Sequence, residues 1–160
     1  MTAEDRTQRL HRLERIYVRS PIYFITTCAA DRRQILAAEA IHESFVRFAE
    51  EGPEHGAWVG AYVLMPDHVH AFIAIDDQKL WLSQWMKSLK NALSKTMRSK
   101  AVPAPHWQKT FFDHVLRSAE SYTEKWHYVR ENPVRAGLVK RWEDWPFQGE
   151  IFTLEYRSER

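Results

Sequence analysis

Residues 58–75 read WVGAYVLMPDHVHAFIAI. Two runs rich in β-branched and aromatic residues, Trp58 to Leu64 and His68 to Ile75, meet at Pro66-Asp67, the pattern of two strands in an antiparallel hairpin. Asp76-Asp77 closes the second run. Working outward toward the amino end, Ala37, Ile41, Phe45 and Phe48 recur at helical spacing, which predicts a helix over 39–51 stopped by Gly52-Pro53. Before it, Tyr17 to Thr27 predicts a strand centred on Ile22 to Thr27, with Pro21 at its start or at a sheet edge. Toward the carboxyl end, Leu82, Trp85 or Met86, Leu89, Leu93 and Met97 form one apolar stripe, predicting a helix over about 80–98. Val102-Pro103-Ala104-Pro105 is a stiff link to a short strand within Trp107 to Leu116. Ser118 is a candidate N-cap for a third helix, with Glu120 in its first turn, running through Tyr122, Trp126 and Val129 to about Glu131. Asn132-Pro133 interrupts it, and a further turn from Pro133 stops at Gly137.

The order β-α-β-β-α-β-α is that of an α+β ferredoxin-like sandwich, an antiparallel sheet with helices packed on one face. At 160 residues and 19.0 kDa, the chain has the length of one domain. We expect a core over about 17–148, a basic arm over 1–16 and a tail over 149–160. Residues after Trp142 alternate apolar positions and are placed to add a strand, dock on the core or meet a partner subunit. Hydrophobic content of 44% with seven Trp excludes a disordered chain. The lone Cys28 excludes an intramolecular disulfide and a cysteine-based zinc site. The first 19 residues carry five Arg and no apolar block, unlike a secretory signal. No stretch reaches the roughly 18 to 20 apolar residues of a membrane span. The expectation is a cytoplasmic protein with no membrane partner.

The formal charge of +2 hides a polarised distribution. Between Gln78 and Phe112 there is no Asp or Glu, while Lys79, Lys87, Lys90, Lys95, Arg98, Lys100 and Lys109 all fall there, giving +7 in 35 residues and leaving −5 elsewhere. A solvated helix face would look the same, but such a field also favours a polyanion. Lys87, Lys90, Lys95, Arg98 and Lys100 are the candidate DNA-binding residues. Trp81, Trp85 and Trp107 interleave with the cations; they suit either the core or stacking on unpaired bases. Arg6, Arg9, Arg12, Arg15 and Arg19 are a candidate DNA-reading arm or a solvated tail.

His68 and His70, two apart on a strand, project from one face and can close on one metal ion. Tyr128 and Asn132, four apart on the third helix, sit one above the other on one side. Each pair has an ordinary structural explanation: core or surface histidines, a packing aromatic, a helix-terminal amide. Taken together, two imidazoles and an amide oxygen form a ligand set for a divalent cation such as Mg²⁺ or Mn²⁺, with positions left for phosphate oxygens. A cation there could polarise a phosphodiester while Tyr128 attacks phosphorus. His127 and Glu124 are candidate bases for the phenolic proton by adjacency alone.

The strings MPDHVH at 65–70 and YVRENPVRAGL at 128–138 resemble the paired motifs of the single-tyrosine HUH transposases, and more closely those of the REP-associated tyrosine transposases. The similarity runs from about Tyr17 to Gln148. It implies a ferredoxin-like fold, a divalent metal held by His68 and His70, Tyr128 as the nucleophile and Asn132 as the third ligand. It further implies a 5′-phosphotyrosine link with release of a 3′-hydroxyl, acting on single-stranded or hairpin DNA at repeat palindromes. Tyr122 competes for the nucleophile's role, but Trp126 stands four residues after it where Tyr128 has an amide. A homodimer is an open arrangement, since related transposases include dimers. Two other classes fit part of the pattern: a repeat-DNA-binding protein of the same fold without catalysis, and an unrelated His-x-His metalloenzyme, which would need Asp where Phe72 stands. With one domain's length, recognition and cleavage are expected to share one surface.

Overall fold

The computed structural model describes residues 15–18 and 22–156; Arg6, Arg9, Arg12, Arg19 and Pro21 lie outside them, and of Arg15 only the backbone is described. Strand β1 (Arg15–Val18) is followed by β2 (Ile22–Cys28), α1 (Glu39–Glu51), β3 (Ala57–Leu64) and β4 (His68–Ile75). Then come α2 (Leu82–Ser99), β5 (Phe112–Leu116), α3 (Ala119–Val129), the one-turn α4 (Asn132–Arg135), β6 (Gln148–Glu150) and β7 (Thr153–Tyr156). Five strands form one sheet in the order β5-β2-β4-β3-β6 with every neighbour antiparallel. β1 and β7 form a separate parallel pair. The ferredoxin-like unit is β2-α1-β3-β4-α2-β5, and β6 extends it at the β3 edge.

The hairpin forms as its sequence dictates: the Met65 amide donates to the His68 carbonyl at 2.8 Å across the Pro66-Asp67 turn. Ser118 caps α3, its hydroxyl accepting from the Ser121 amide at 3.1 Å, so one orphan donor of the first turn is satisfied. α3 ends at Val129 rather than Glu131, and Asn132 opens the next turn. The fourth predicted strand is confined to 112–116; Trp107 contributes only an isolated bridge to Ala29.

Strand alternation divides the core in two. Ile25, Val69, Ala71 and Ile73 project toward α1 and α2, meeting Ile41, Phe45, Met86, Leu89, Leu93 and Met97. Phe24, Phe72 and Ala74 project to the opposite face, where Val129, Trp145 and Leu154 are buried with Tyr122 and Trp126 alongside. The two crossover helices therefore share one face, as the element order implied, and the structure adds a second layer built from α3 and the carboxyl-terminal segment. Trp145 ties that segment down, its indole N–H donating to the Leu64 carbonyl at 3.0 Å. No helix among the described residues is long and apolar enough to cross a membrane.

Strand β3 has a register irregularity between Val59 and Tyr62, and there the Ala61 amide donates to the Tyr122 hydroxyl at 3.1 Å. A Cβ at Gly60 would lie 2.6 Å from that hydroxyl and 2.9 Å from Leu154 Cδ1. Gly60→Ala is therefore expected to lower unfolding stability by about 1–3 kcal/mol through overpacking, read from the urea midpoint; an unchanged midpoint would show that α3 can shift without cost.

Candidate functional site

His68 and His70 share the parity of Phe72 and Ala74, so both imidazoles lie on the face that α3 covers. Their ring centroids are 4.6 Å apart. Each ring is oriented through Nδ1: His68 by the Asp67 carboxylate at 2.7 Å, His70 by the Thr26 hydroxyl at 2.8 Å. Thr26 is directly opposite His70 in the β2–β4 ladder, and Phe24 stacks on the His70 ring at 5.1 Å. Asp67 is held in turn by Arg32, whose Nε donates at 2.8 Å. Burial alone would raise the Asp67 pKa, but the hydrogen bonds from His68 and Arg32 outweigh it and keep the carboxyl below its ordinary value.

This arrangement fits a divalent cation at the histidine pair. With Nδ1 of each ring engaged by an oxygen, Nε2 is the nitrogen left to coordinate, the usual outer-shell arrangement of a metal-binding histidine. His70 is also kept neutral: burial first, and repulsion from His68 second, push its pKa down to about 3. Among the described residues no group of three or more His, Cys, Asp or Glu side chains could hold a metal ion, so a third ligand drawn from those residues would have to be of another type.

The neutral state of His70 gives a measurable sign. An unfolded histidine takes up a proton near pH 6.5, while folded His70 does so only near 3. Between those values the unfolded chain binds the extra proton. Stability contributed by the neutral ring is thus complete above pH 6.5 and lost as pH falls, by at most about 1.4 kcal/mol per pH unit. His42, also lowered by burial, acts in the same direction. Urea midpoints of the metal-free protein are expected to fall from about pH 7 to pH 5, and a flat profile would contradict a buried neutral His70.

Tyr128 is on α3 and is 62% exposed, whereas Tyr122 is packed edge-on to Phe72 at 4.7 Å with its hydroxyl tied to Ala61. Burial raises the Tyr122 pKa above its ordinary value. Lys125 links the tyrosine to the histidine side of the site: its Nζ lies 4.8 Å from the Phe24 ring centroid and 6.0 Å from that of Tyr128. Arg135 was not singled out in the sequence. Its guanidinium covers the Tyr128 ring at 4.1 Å, donates to the Tyr128 carbonyl at 2.7 Å and also donates to the Asn132 amide oxygen. Asn132 is thus not stacked on Tyr128 along one continuous helix; it heads α4 and is joined to Tyr128 through Arg135. Among the described residues no hydrogen bond joins Asn132 to either histidine, and neither His127 nor Glu124 hydrogen-bonds to Tyr128.

The basic stretch is placed elsewhere. α2 buries Trp85, Met86, Leu89, Leu93 and Met97 against the face opposite the histidines, so Lys87, Lys95, Arg98 and Lys100 are exposed on the far side of that layer. Lys90 is half-buried and donates to the Gln108 carbonyl at 3.0 Å. Trp85 is core and Trp107 donates to Ser94 Oγ at 3.0 Å, leaving only Trp81 of the three exposed, at 71%. The expectation that the basic helix and the cleavage residues share one surface is not met, because helical periodicity reveals which side of α2 is polar but not which side of the sheet it covers.

Residues 17–131 match the family model described as transposase IS200 like. A REP-associated tyrosine transposase of Escherichia coli (strain K12) is 25% identical over 136 residues, covering 83% of this chain and 78% of that protein. A solved structure of a REP-associated tyrosine transposase bound to a REP hairpin aligns with a TM-score of 0.62 at 23% identity, over 83% of this chain and 78% of the other. A crystal structure from Deinococcus radiodurans, assigned as a candidate transposase, aligns with a TM-score of 0.51 at 18% identity, over 72% and 92% of the two chains. These two structures share the fold described above, and the family model spans the strand that carries His68 and His70 and the helix that carries Tyr128. The chain belongs to the IS200-like transposase family.

Proposed function

We propose that this protein is a metal-dependent endonuclease and strand transferase for single-stranded DNA, acting at the foot of hairpins or repeat palindromes through a 5′-phosphotyrosine. The observation that carries the reading is an exposed tyrosine, gripped by Arg135, on the same sheet face as two Nδ1-anchored histidines. In the cleavage step Tyr128 Oη forms a bond to phosphorus, the bond from phosphorus to O3′ breaks, and the 3′ oxygen leaves with a proton as a hydroxyl. The phenolic proton passes to solvent, to which the exposed ring is open. Attack by that 3′-hydroxyl, or another, on the phosphotyrosine reverses the step, so joining needs no nucleotide cofactor. A divalent cation, Mg²⁺ or Mn²⁺, held by His68 and His70 would polarise the phosphodiester and stabilise charge on its oxygens. Asn132 shares Arg135 with Tyr128, and its release from Arg135 is what ligation by it would require.

Lys125 and Arg135 put two cations around the tyrosine, where a phosphate must come. The cations of α2, on the other layer, serve long-range attraction or the backbone of flanking DNA. Replacing Lys87, Lys95, Arg98 and Lys100 together by Ala is expected to weaken DNA binding uniformly across sequences and flatten its salt dependence, with adduct formation intact at saturating DNA. Loss of the adduct at saturating DNA would place α2 in the cleavage machinery.

The test of the function itself is incubation with Mn²⁺ and hairpin-bearing single-stranded DNA labelled at one end and then at the other. A denaturation-resistant protein–DNA adduct carrying only the label 3′ of the cleavage point supports the reading. Tight, salt-sensitive binding with no adduct in any divalent metal would instead support a DNA-binding protein of the same fold, the reading favoured by the occupied amide of Asn132.

A further inference from the structure

An exposed aromatic on the site face has no role in the chemistry above. Phe112 opens the edge strand β5 and is 58% exposed. Its neighbour Phe111 packs into the core, while Phe112 belongs to neither core cluster. An isolated exposed apolar residue is ordinary; its position is what sets this one apart. Phe112 is directly opposite Thr26, and Thr26 is directly opposite His70. Residues opposite one another in antiparallel strands project to the same side, and the 2.8 Å contact of Thr26 with His70 shows which side that is. Phe112 therefore stands in one cross-strand row with the metal-binding pair, two strand spacings or roughly 10 Å from His70. His114, opposite Phe24, is exposed on the same face one pair further along. Asp113 is opposite Ile25 and so projects to the α1–α2 side, which leaves this strip without a carboxylate from β5.

On the other flank of the strip stands α3, with Lys125 over Phe24 and beside Tyr128. An aromatic floor beside a cationic wall, ending at the histidines and the tyrosine, fits one ligand chemistry: a strand with unpaired bases and a phosphate backbone. A duplex hides its base faces and gains nothing from an exposed ring. The geometry points to Phe112 as a stacking platform for an unpaired nucleobase within about two nucleotides of the phosphate that Tyr128 attacks, given the ~3.4 Å stacked rise and the longer reach of an extended strand. This inference rests on the proposed function and names the part of the surface that makes the site select single-stranded over duplex DNA.

The experiment uses the full chain and oligonucleotides carrying 2-aminopurine at each position flanking the cleavage point. With the unaltered protein, fluorescence at one position is expected to be quenched on binding. Phe112→Ala should abolish that quenching and weaken binding of the flanked hairpin about 5- to 150-fold, the range for losing one base–aromatic stack. Phe112→Trp should retain both. A blunt hairpin with no single-stranded flank should bind equally to all three proteins, and an unchanged thermal midpoint for Phe112→Ala would show that the fold is untouched. Undiminished quenching and affinity in Phe112→Ala, or equal weakening toward the blunt hairpin, would overturn the assignment. Because binding and quenching require no cleavage, absence of a covalent adduct in the unaltered protein would count against the proposed function alone.

Discussion

Tyr128→Phe is expected to abolish the covalent protein–DNA adduct while leaving binding of hairpin-bearing single-stranded DNA in place. The substitution removes one oxygen from a ring that is 62% exposed, and it keeps the face that Arg135 covers. Neither packing nor the fold should suffer. Loss of a covalent nucleophile removes the reaction path itself, so the fall in cleavage is on the order of 10³-fold or more. Tyr122→Phe is the informative contrast. It takes the hydroxyl from the Ala61 amide, leaving a donor unpaired in the β3 irregularity, and should cost about 1–3 kcal/mol of stability while the adduct still forms. An adduct that persists in Tyr128→Phe and disappears in Tyr122→Phe would transfer the nucleophile's role.

His70→Ala has the second largest expected effect. It deletes one of the two proposed Nε2 ligands and opens a gap under Phe24, which stacks on that ring. Stimulation of cleavage by Mn²⁺ should vanish, and Mn²⁺ affinity, read by calorimetry in the absence of DNA, should fall on the order of 10²-fold or more. Thr26→Val and Asp67→Asn probe the same centre without touching a ligand. Each removes or weakens the hydrogen bond that fixes a ring at Nδ1, and each should lower metal affinity roughly 10- to 100-fold. If Thr26→Val leaves affinity unchanged while His70→Ala abolishes it, orientation of His70 comes from Phe24 stacking and burial rather than from the hydroxyl.

Much of the site was legible from local chemistry. A period of two forces His68 and His70 to one face whatever the rest of the chain does, and Pro66-Asp67 fixes where the hairpin turns. The α1 boundaries follow from the apolar spacing and the Gly52-Pro53 stop, and the α3 start from Ser118. Legibility ended wherever a partner comes from far along the chain. Thr26 and His70 are 44 residues apart, and nothing near either predicts that they pair. Arg135 lay inside a quoted motif, yet its grip on Tyr128 and Asn132 depends on the break between α3 and α4, which turns its guanidinium back over the ring. A proline-marked interruption was visible; the direction of the chain after it was not.

The sequence by itself determined which side chains share a face within each element: both histidines on β4, the cations on one side of α2, and Tyr128 clear of the Tyr122, Trp126 and Val129 stripe. Those relations follow from the 2.0 and 3.6 periods and need no partner. Only the tertiary structure decided how the faces meet. Strand order β5-β2-β4-β3-β6 sets Thr26 and Phe112 in line with His70, brings α3 over the histidines and sends the basic side of α2 to the opposite layer. The reason is that cross-strand register and layer assignment are settled by burying the apolar surface of all elements at once, a condition that no single segment carries.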